Sequence, residues 1–114
     1  MKIAVSLTCY NRKSKTRDCL QSFYSATSDL QNVLFDIYLI DDNSSDGTAE
    51  MIEEEFPEVH LIKGSGNLYW AGGMRLAWTK AIESKIDYDG FLLINDDVVF
   101  DTYFWEKLKR RCNM

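Results

Sequence analysis

The sequence has little proline and little glycine, with one Pro and six Gly among 114 residues. Disordered and low-complexity chains are usually rich in both residues, so this composition indicates an ordered, soluble protein. A chain of this length can bury one hydrophobic core but hardly two. We therefore predict a single compact unit over residues 1–114.

The sequence also lacks the marks of several protein classes. Three cysteines with no CxxC pair suggest neither a zinc site nor a disulfide framework, so we expect a reducing, cytoplasmic location. The apolar start is too short for a signal peptide, and no apolar run reaches the roughly 18 residues of a membrane span. A net charge of −5 argues against a nucleic-acid partner, which would require a basic surface.

Positive charge is concentrated at the carboxyl end, in Lys107, Lys109, Arg110 and Arg111. This cluster can contact an acidic membrane surface or form the solvated end of a helix. Four cations lie at the lower limit of a membrane-binding patch, so we favour the solvated helix end. Peripheral contact with the inner face of the plasma membrane stays open as the alternative.

Apolar runs typical of strands alternate with amphipathic stretches typical of helices. The predicted strands are 2–8, 35–40, 59–62 and 91–94, and the predicted helices are 16–26, 47–56, 72–84 and 102–111. Ser45 or Asp46 is the expected cap of the second helix. This alternation favours parallel βαβ units, and hence an α/β fold with a mostly parallel sheet between two helical layers.

Polar motifs follow each predicted strand: TCYNR, DDNSSDGT, GSGNLYWAGGMR and NDD. In open parallel sheets, ligands bind beyond the carboxyl ends of the strands, where neighbouring loops converge. We therefore expect the four motifs to form one composite site.

Asp41 and Asp42 end an apolar strand, where an unpaired buried carboxylate would cost several kcal/mol. At least one of them should face a donor, such as a pyrimidine N3–H in a cleft, or the pair simply pins the turn through hydrogen bonds to the backbone. Residues 42–53 also match a calcium-loop template, but the strand that precedes them argues against it.

Asn95, Asp96 and Asp97 interrupt a hydrophobic segment. Mg²⁺ usually takes one or two protein carboxylates while substrate phosphates complete its shell, so this triplet favours a metal and diphosphate site. An Asp-rich turn that caps the next helix is the alternative.

The glycine-rich segment matches neither the dinucleotide nor the Walker phosphate loop. Gly72 and Gly73, which we expect to open a helix, would allow close approach by a sugar or phosphate, with Arg75 one turn further as a charge partner. Tyr69 and Trp70 can stack on a base or sugar, but aromatic residues in such positions more often belong to the core, and we expect the core.

Taken in order, AVSLTCYNR, LIDDNSSDGT, GNLYWAGGMR and LLINDDV resemble the amino-terminal half of a family 2 inverting nucleotide-sugar glycosyltransferase of the GT-A fold. The resemblance covers residues 2 to 101, nearly the whole chain. The GNLYWAGGMR segment is similar to bacterial enzymes that build rhamnose-containing or other cell-surface polysaccharides. The implied fold is a partial, Rossmann-like GT-A fold.

The resemblance also implies roles for single residues. Thr8, Tyr10 and Arg12 would line the nucleotide pocket, and Asp42 would accept the N3–H of uracil or thymine. The segment from Asn67 to Arg75, with Gly72 and Gly73, would approach the diphosphate sugar. The DXD motif falls on residues 95–97: Asp97 would hold Mg²⁺ or Mn²⁺, Asp96 would contact ribose or share the metal, and Asn95 replaces the first Asp.

The implied reaction is a single inverting displacement from a UDP- or dTDP-sugar donor to a glycan or lipid-linked acceptor. In the family, the catalytic base lies well beyond the DXD motif, so we expect it beyond residue 114, with this chain as the donor-binding part of a longer domain. The edge beside the fourth strand should then be exposed and pair with a second copy.

Two other functions stay open at this point. A nucleotidyltransferase shares the layered sheet and the metal chemistry, but it needs a glycine-rich loop after the first strand, which TCYNRK lacks. A non-enzymatic calcium- or nucleotide-binding module is the other alternative.

Overall fold

Strands and helices alternate along the chain in a computed structural model that describes residues 1–112. The strands are β1 (Lys2–Cys9), β2 (Leu34–Asp41), β3 (His60–Lys63) and β4 (Gly90–Asn95). The helices are α1 (Lys13–Thr27), α2 (Thr48–Glu55), α3 (Tyr69–Glu83) and α4 (Phe104–Cys112). The predicted order of elements is confirmed.

The four strands form one parallel sheet in the order β3-β2-β1-β4. Thr8 near the end of β1 pairs with Ile40 on one side and with Asn95 on the other, so these three strands end at the same level. The chain runs outward from β1 to β3 and then returns to place β4 on the free side of β1. Such a switch in direction opens a crevice at the carboxyl ends of the strands.

Helices cover both faces of the sheet, which confirms the three-layer α/β/α architecture. On one face, Val5 and Leu7 of β1 pack with the buried Phe23 of α1, Ile52 of α2 and Trp105 of α4. The larger hydrophobic cluster of the protein therefore lies on this side of the sheet.

The opposite face is covered by α3 through small side chains. Ala77 and Ala81 are fully buried there, in a cluster with Ala4, Tyr38 and Ile40. Because the alanine side chains are short, the axis of α3 lies close to β1 and β2. The first turns of α3 therefore reach the ends of both strands.

Three predicted helix starts are wrong by two or three residues. α1 begins at Lys13 rather than residue 16, since the carboxylate of Asp46 accepts the Lys13 N–H. α3 begins at Tyr69 rather than near Gly72, since Asp42 accepts the Tyr69 N–H. α4 begins at Phe104 rather than residue 102. In α1 and α3, a side chain distant in sequence supplies the acceptor that sets the boundary.

β4 forms an edge of the sheet in the part of the chain that the structure describes. Its Phe91 and Leu93 are 40% and 42% exposed, and Phe91 lies against the exposed Trp78 of α3. The expected exposed edge is thus present. Within residues 1–112, no helix has both the length and the apolar character required to cross a membrane.

Candidate functional site

A cavity of about 490 Å³ opens where β1, β2 and β4 end. Its walls come from these three strand ends and from the loop between β3 and α3. The lining residues are Thr8, Cys9, Tyr10, Arg12, Asp42, Gly66, Tyr69, Trp70 and Asp96. The structure therefore brings together all five residues predicted for the nucleotide pocket, namely Thr8, Tyr10, Arg12, Asp42 and Asp96.

Asp42 holds the loop between β3 and α3 in place. Its Oδ1 accepts the Gly66 N–H at 2.8 Å, and its Oδ2 accepts the N–H groups of Leu68 and Tyr69, both at 3.1 Å. Although the residue is buried, its charge is thus compensated by three backbone donors. A carboxylate offers about four acceptor positions, and these hydrogen bonds use three of them.

Asp41 and Asp42 make different contacts in the structure. Asp41 pins the turn after β2, because its Oδ1 accepts the Ser44 N–H at 3.1 Å. The calcium-loop alternative is wrong, because β2 rather than a helix precedes the loop and Asp42 is turned towards backbone N–H groups.

The loop after β1 is fixed to the loop after β2. Asn11 has a left-handed backbone (φ 49°); its N–H donates to Ser44 Oγ at 2.9 Å, and its Oδ1 accepts the Ser45 N–H at 2.8 Å. Asparagine tolerates this backbone region better than most residues. Because Asn11 is held on both sides, its neighbours Tyr10 and Arg12 are positioned at the mouth of the cavity.

The acidic lip after β4 pairs with Arg12. The Arg12 Nη1 lies 3.5 Å from Asp96 Oδ1 and 3.7 Å from Asp97 Oδ2. Asp96 is buried and Asp97 is half-exposed. Burial raises the pKa of the Asp96 carboxyl; the Arg12 guanidinium opposes this rise, and the nearby Asp97 adds to it.

Asn95 connects this lip to α3. Its Oδ1 accepts the Trp70 indole N–H at 2.9 Å across the cavity. An amide at this position accepts the same hydrogen bond as an aspartate would, without a third negative charge beside Asp96 and Asp97. Asn95 therefore positions the indole of Trp70.

Tyr69 and Trp70 lie on the cavity rim, so their expected place in the core is wrong. They are 74% and 53% exposed. Tyr69 is held by Asp42 with a positive φ of 56°, and Trp70 is held by Asn95. These two contacts turn the aromatic side chains outward. The cavity therefore has an apolar rim above the carboxylates of Asp42 and Asp96.

The residues expected at the diphosphate sugar are not among those that line the cavity. Asn67 and Arg75 are exposed outside it, and Gly72 lies within α3. Gly73 is buried against Thr8, so its lack of a side chain serves the packing of α3 on β1. A role for these four residues towards a donor stays a prediction.

Besides Tyr69 and Trp70, the lining residues Gly66 and Cys9 were not predicted for the site. Gly66 has a φ of 97°, a backbone region that favours glycine, so its place in a Ser-Gly-Asn turn was the available signal. Burial and the charge of Asp41 raise the pKa of the Cys9 thiol far above its usual range. It is therefore a poor nucleophile.

Asp96 and Asp97 are the residues that fit a divalent metal. Within residues 1–112, no three His, Cys, Asp or Glu side chains lie close enough together to hold an ion by themselves. Mg²⁺ is usually bound by one or two protein carboxylates together with phosphate oxygens of the substrate, and Mn²⁺ accepts similar oxygen ligands. The donor set thus fits an ion that arrives with a diphosphate.

Comparison with known proteins gave matches over nearly the whole chain. Residues 4–112 match the family described as Glycosyl transferase family 2. Protein RfbJ of Shigella flexneri is 28% identical over 101 residues, which are 87% of this chain and 67% of RfbJ.

Solved structures with a similar fold include S. aureus TarS, residues 1–349. It superposes with a TM-score of 0.71 at 19% identity, over 99% of this chain and 32% of TarS. The same TarS region in complex with UDP-GlcNAc gives a TM-score of 0.70, also at 19% identity, over 99% of this chain and 31% of TarS. This chain therefore spans about a third of the length of these TarS chains.

Proposed function

This chain belongs to glycosyl transferase family 2, and on that premise we propose that its cavity binds the nucleotide-sugar donor. Its parallel sheet and helices form part of a GT-A-like α/β fold. The observation that carries the proposal is the convergence of all four strand-end motifs on the cavity or its acidic lip, at the point where the strand order reverses.

The floor of the cavity is suited to a pyrimidine base. Asp42 keeps one acceptor position after its three backbone hydrogen bonds, and this position can take the N3–H of uracil or thymine. Thr8 also lines the cavity, with its Oγ1 buried against Gly73 of α3. UDP- and dTDP-sugars are therefore the proposed donors, and the TarS complex with UDP-GlcNAc supports the first of them.

The acidic lip is the proposed metal site. Asp97 and Asp96 would hold Mg²⁺ or Mn²⁺ against the two phosphates of the donor. When bound, such an ion neutralises the charge that develops on the departing diphosphate. Arg12, at the same lip, brings a guanidinium that pairs with phosphate oxygens.

The proposed reaction is a single displacement with inversion at the anomeric carbon. The bond from this carbon to the diphosphate oxygen breaks as the bond to an acceptor hydroxyl oxygen forms, and a carboxylate base takes the hydroxyl proton. In line with the family resemblance, the carboxylate that acts as the base is proposed to lie beyond residue 114. The acceptor is proposed to be a glycan or a lipid-linked saccharide.

The basic end of α4 gives limited support to membrane contact. Lys107 pairs with Asp101 at 3.5 Å and Lys109 with Glu106 at 3.4 Å. Partial neutralisation of the cluster favours a solvated helix end over a membrane patch. Location in the cytoplasm, at the membrane or away from it, stays a prediction.

Calorimetric titration of UDP, dTDP and GDP, with and without Mn²⁺, tests the proposed donor site. We expect UDP or dTDP to bind in an Mn²⁺-dependent manner and GDP to bind more weakly. Asp97→Ala should abolish the dependence on Mn²⁺, because it removes a ligand at the lip. Asp87→Ala, which removes an exposed carboxylate before the opposite end of β4, is the matched control and should bind as the unmodified chain does.

Two outcomes would contradict the proposal. Binding of Ca²⁺ with no effect of any nucleotide would favour a calcium-binding module instead. Metal-dependent nucleotide binding that survives Asp97→Ala would show that the metal site lies elsewhere, even though the fold is that of the family.

A further inference from the structure

Arg12 lies between the two carboxylates of the acidic lip. Its Nη1 is within 4 Å of one oxygen from each of the two lip carboxylates, at 3.5 Å from Asp96 and 3.7 Å from Asp97. A single cation between two carboxylates is the same electrostatic arrangement as a bound metal. The guanidinium therefore reduces the repulsion between Asp96 and Asp97, one of which is buried.

The side chain of Arg12 is held loosely, whereas its backbone is held firmly. Both ion-pair distances exceed the roughly 2.7–2.9 Å of a charge-assisted hydrogen bond, and the side chain is half-exposed. In contrast, the Arg12 carbonyl accepts the Thr16 N–H at 2.8 Å, and the flanking Asn11 and Lys13 are hydrogen-bonded to the loop after β2. The guanidinium can thus move while its point of attachment stays fixed.

We propose that Arg12 is a built-in counter-cation, which occupies the metal position of the unliganded site and leaves it for the donor diphosphate when the metal enters. The inference rests on the proposed function, since it takes Asp96 and Asp97 as the metal ligands. It makes Arg12 a donor-binding residue that couples metal binding to nucleotide binding.

The balance of charge explains why the metal ion displaces Arg12 only when it arrives together with a diphosphate. Two carboxylates and one guanidinium leave a charge of −1 at the lip, and a divalent ion must compete with Arg12 to enter. When the ion brings a diphosphate, the displaced guanidinium gains phosphate oxygens as new partners, and Arg binds phosphate through parallel hydrogen bonds. A metal ion alone offers Arg12 no such partner, so it binds weakly.

Removal of the Arg12 charge tests this exchange by calorimetry and by the electron paramagnetic resonance of Mn²⁺. In Arg12→Gln without nucleotide, we expect the Mn²⁺ affinity to rise about tenfold, which corresponds to about 1.4 kcal/mol of lost competition. With Mn²⁺ present, the UDP affinity of the same variant should fall, because the diphosphate loses its guanidinium partner. The proposed role therefore predicts that the same variant binds Mn²⁺ more tightly and UDP more weakly.

Lys15→Gln is the matched control, since it removes one positive charge near Asp96 without an ion pair to either lip carboxylate. An equal rise in Mn²⁺ affinity in both variants would overturn the inference, because net charge alone would then explain the effect. No rise in Arg12→Gln, with circular dichroism showing a folded chain, would overturn it as well.

Failure of this inference can be told apart from failure of the proposed function. If UDP binds with Mn²⁺ dependence but Arg12→Gln shows no gain for Mn²⁺ alone, only the role of Arg12 is wrong. If no nucleotide binds to the unmodified chain, the donor site is wrong, and the inference, which depends on it, is wrong with it.

Discussion

Gly72 and Gly73 are adjacent in α3 and have different surroundings. A Cβ on Gly73 would overlap the Thr8 side chain, whereas a Cβ on Gly72 would meet the Leu68 Cβ at 3.4 Å, an ordinary contact. Thr8 is a cavity residue of β1, so the close approach at Gly73 fixes the position of α3 relative to the site. The packing of α3 on β1 therefore requires glycine at position 73, whereas position 72 has room for a side chain.

Gly73→Ala should lower the free energy of unfolding by about 1–3 kcal/mol, because the added methyl group forces α3 away from β1. The matched variant Gly72→Ala should raise it by about 0.5–1 kcal/mol, since alanine is favoured over glycine inside a helix. Urea unfolding of the two variants measures both effects. Equal changes in the two variants would contradict the packing described for Gly73.

At the scale of elements, a single carboxylate joins two helices. Asp46 Oδ2 accepts the N–H of Lys13, the first residue of α1, at 3.0 Å. Its Oδ1 accepts the N–H of Thr48, the first residue of α2, at 3.1 Å, as well as the Thr48 hydroxyl. The expected cap, Ser45 or Asp46, is wrong, because Gly47 occupies the cap position of α2; Asp46 contacts the first turn from one residue further back.

Asp46 should make stability depend on pH in the acidic range. Burial tends to raise its pKa, but the hydrogen bonds from Thr48 and Lys13 outweigh this and lower it. The folded chain therefore holds the carboxylate more strongly than the unfolded chain does. This stabilisation is present above the unfolded pKa of about 3.9 and is lost as the pH falls through the lower, folded value.

Asp46→Asn should therefore lower the free energy of unfolding at pH 7 by about 1 kcal/mol, because the amide nitrogen cannot accept one of the hydrogen bonds that the second carboxylate oxygen accepts. Measured by urea unfolding, the difference from the unmodified chain should shrink as the pH falls below the unfolded pKa of about 3.9. Asp18→Asn on α1, an exposed carboxyl without a hydrogen-bonded or ionic partner among residues 1–112, is the control and should have no effect at either pH. A cost for Asp46→Asn that persists unchanged in acid would exclude the ionised carboxylate as its source.

At the scale of the molecule, the sheet has one long apolar edge. The outer side of β4 has no strand partner within the described residues, and Phe91, Leu93 and Trp78 are exposed beside it. An edge of this kind is a template for pairing with another strand. A second copy of this chain is the partner we propose for it.

Light scattering coupled to size-exclusion chromatography should therefore show a dimer. Leu93→Lys should shift it to monomer, because a charge on the exposed face of β4 opposes strand pairing. Val99→Lys, which places the same charge on an exposed apolar residue beyond the end of β4, should leave the dimer intact. A monomer at high protein concentration in the unmodified chain would contradict the proposed pairing.

The order of elements, the parallel sheet and the meeting of the strand-end motifs were predictable because they depend on local pattern. Strand and helix periodicity are visible within a few residues, and the carboxyl ends of parallel strands meet at one edge whatever the details of packing. For this reason the four strand-end motifs could be placed together from the sequence, whereas the choice of Thr8, Tyr10, Arg12, Asp42 and Asp96 within them came from the family resemblance.

The contacts that complete the site could not be predicted, because they join residues far apart in the chain. Asp42 reaches the start of α3, Asp46 the start of α1, and Trp70 the side chain of Asn95. Each hydrogen bond depends on a distance of a few ångströms that only the packed layers set. The sequence alone therefore determined which carboxylates gather at the strand ends, and the tertiary structure alone decided that Arg12 lies between two of them.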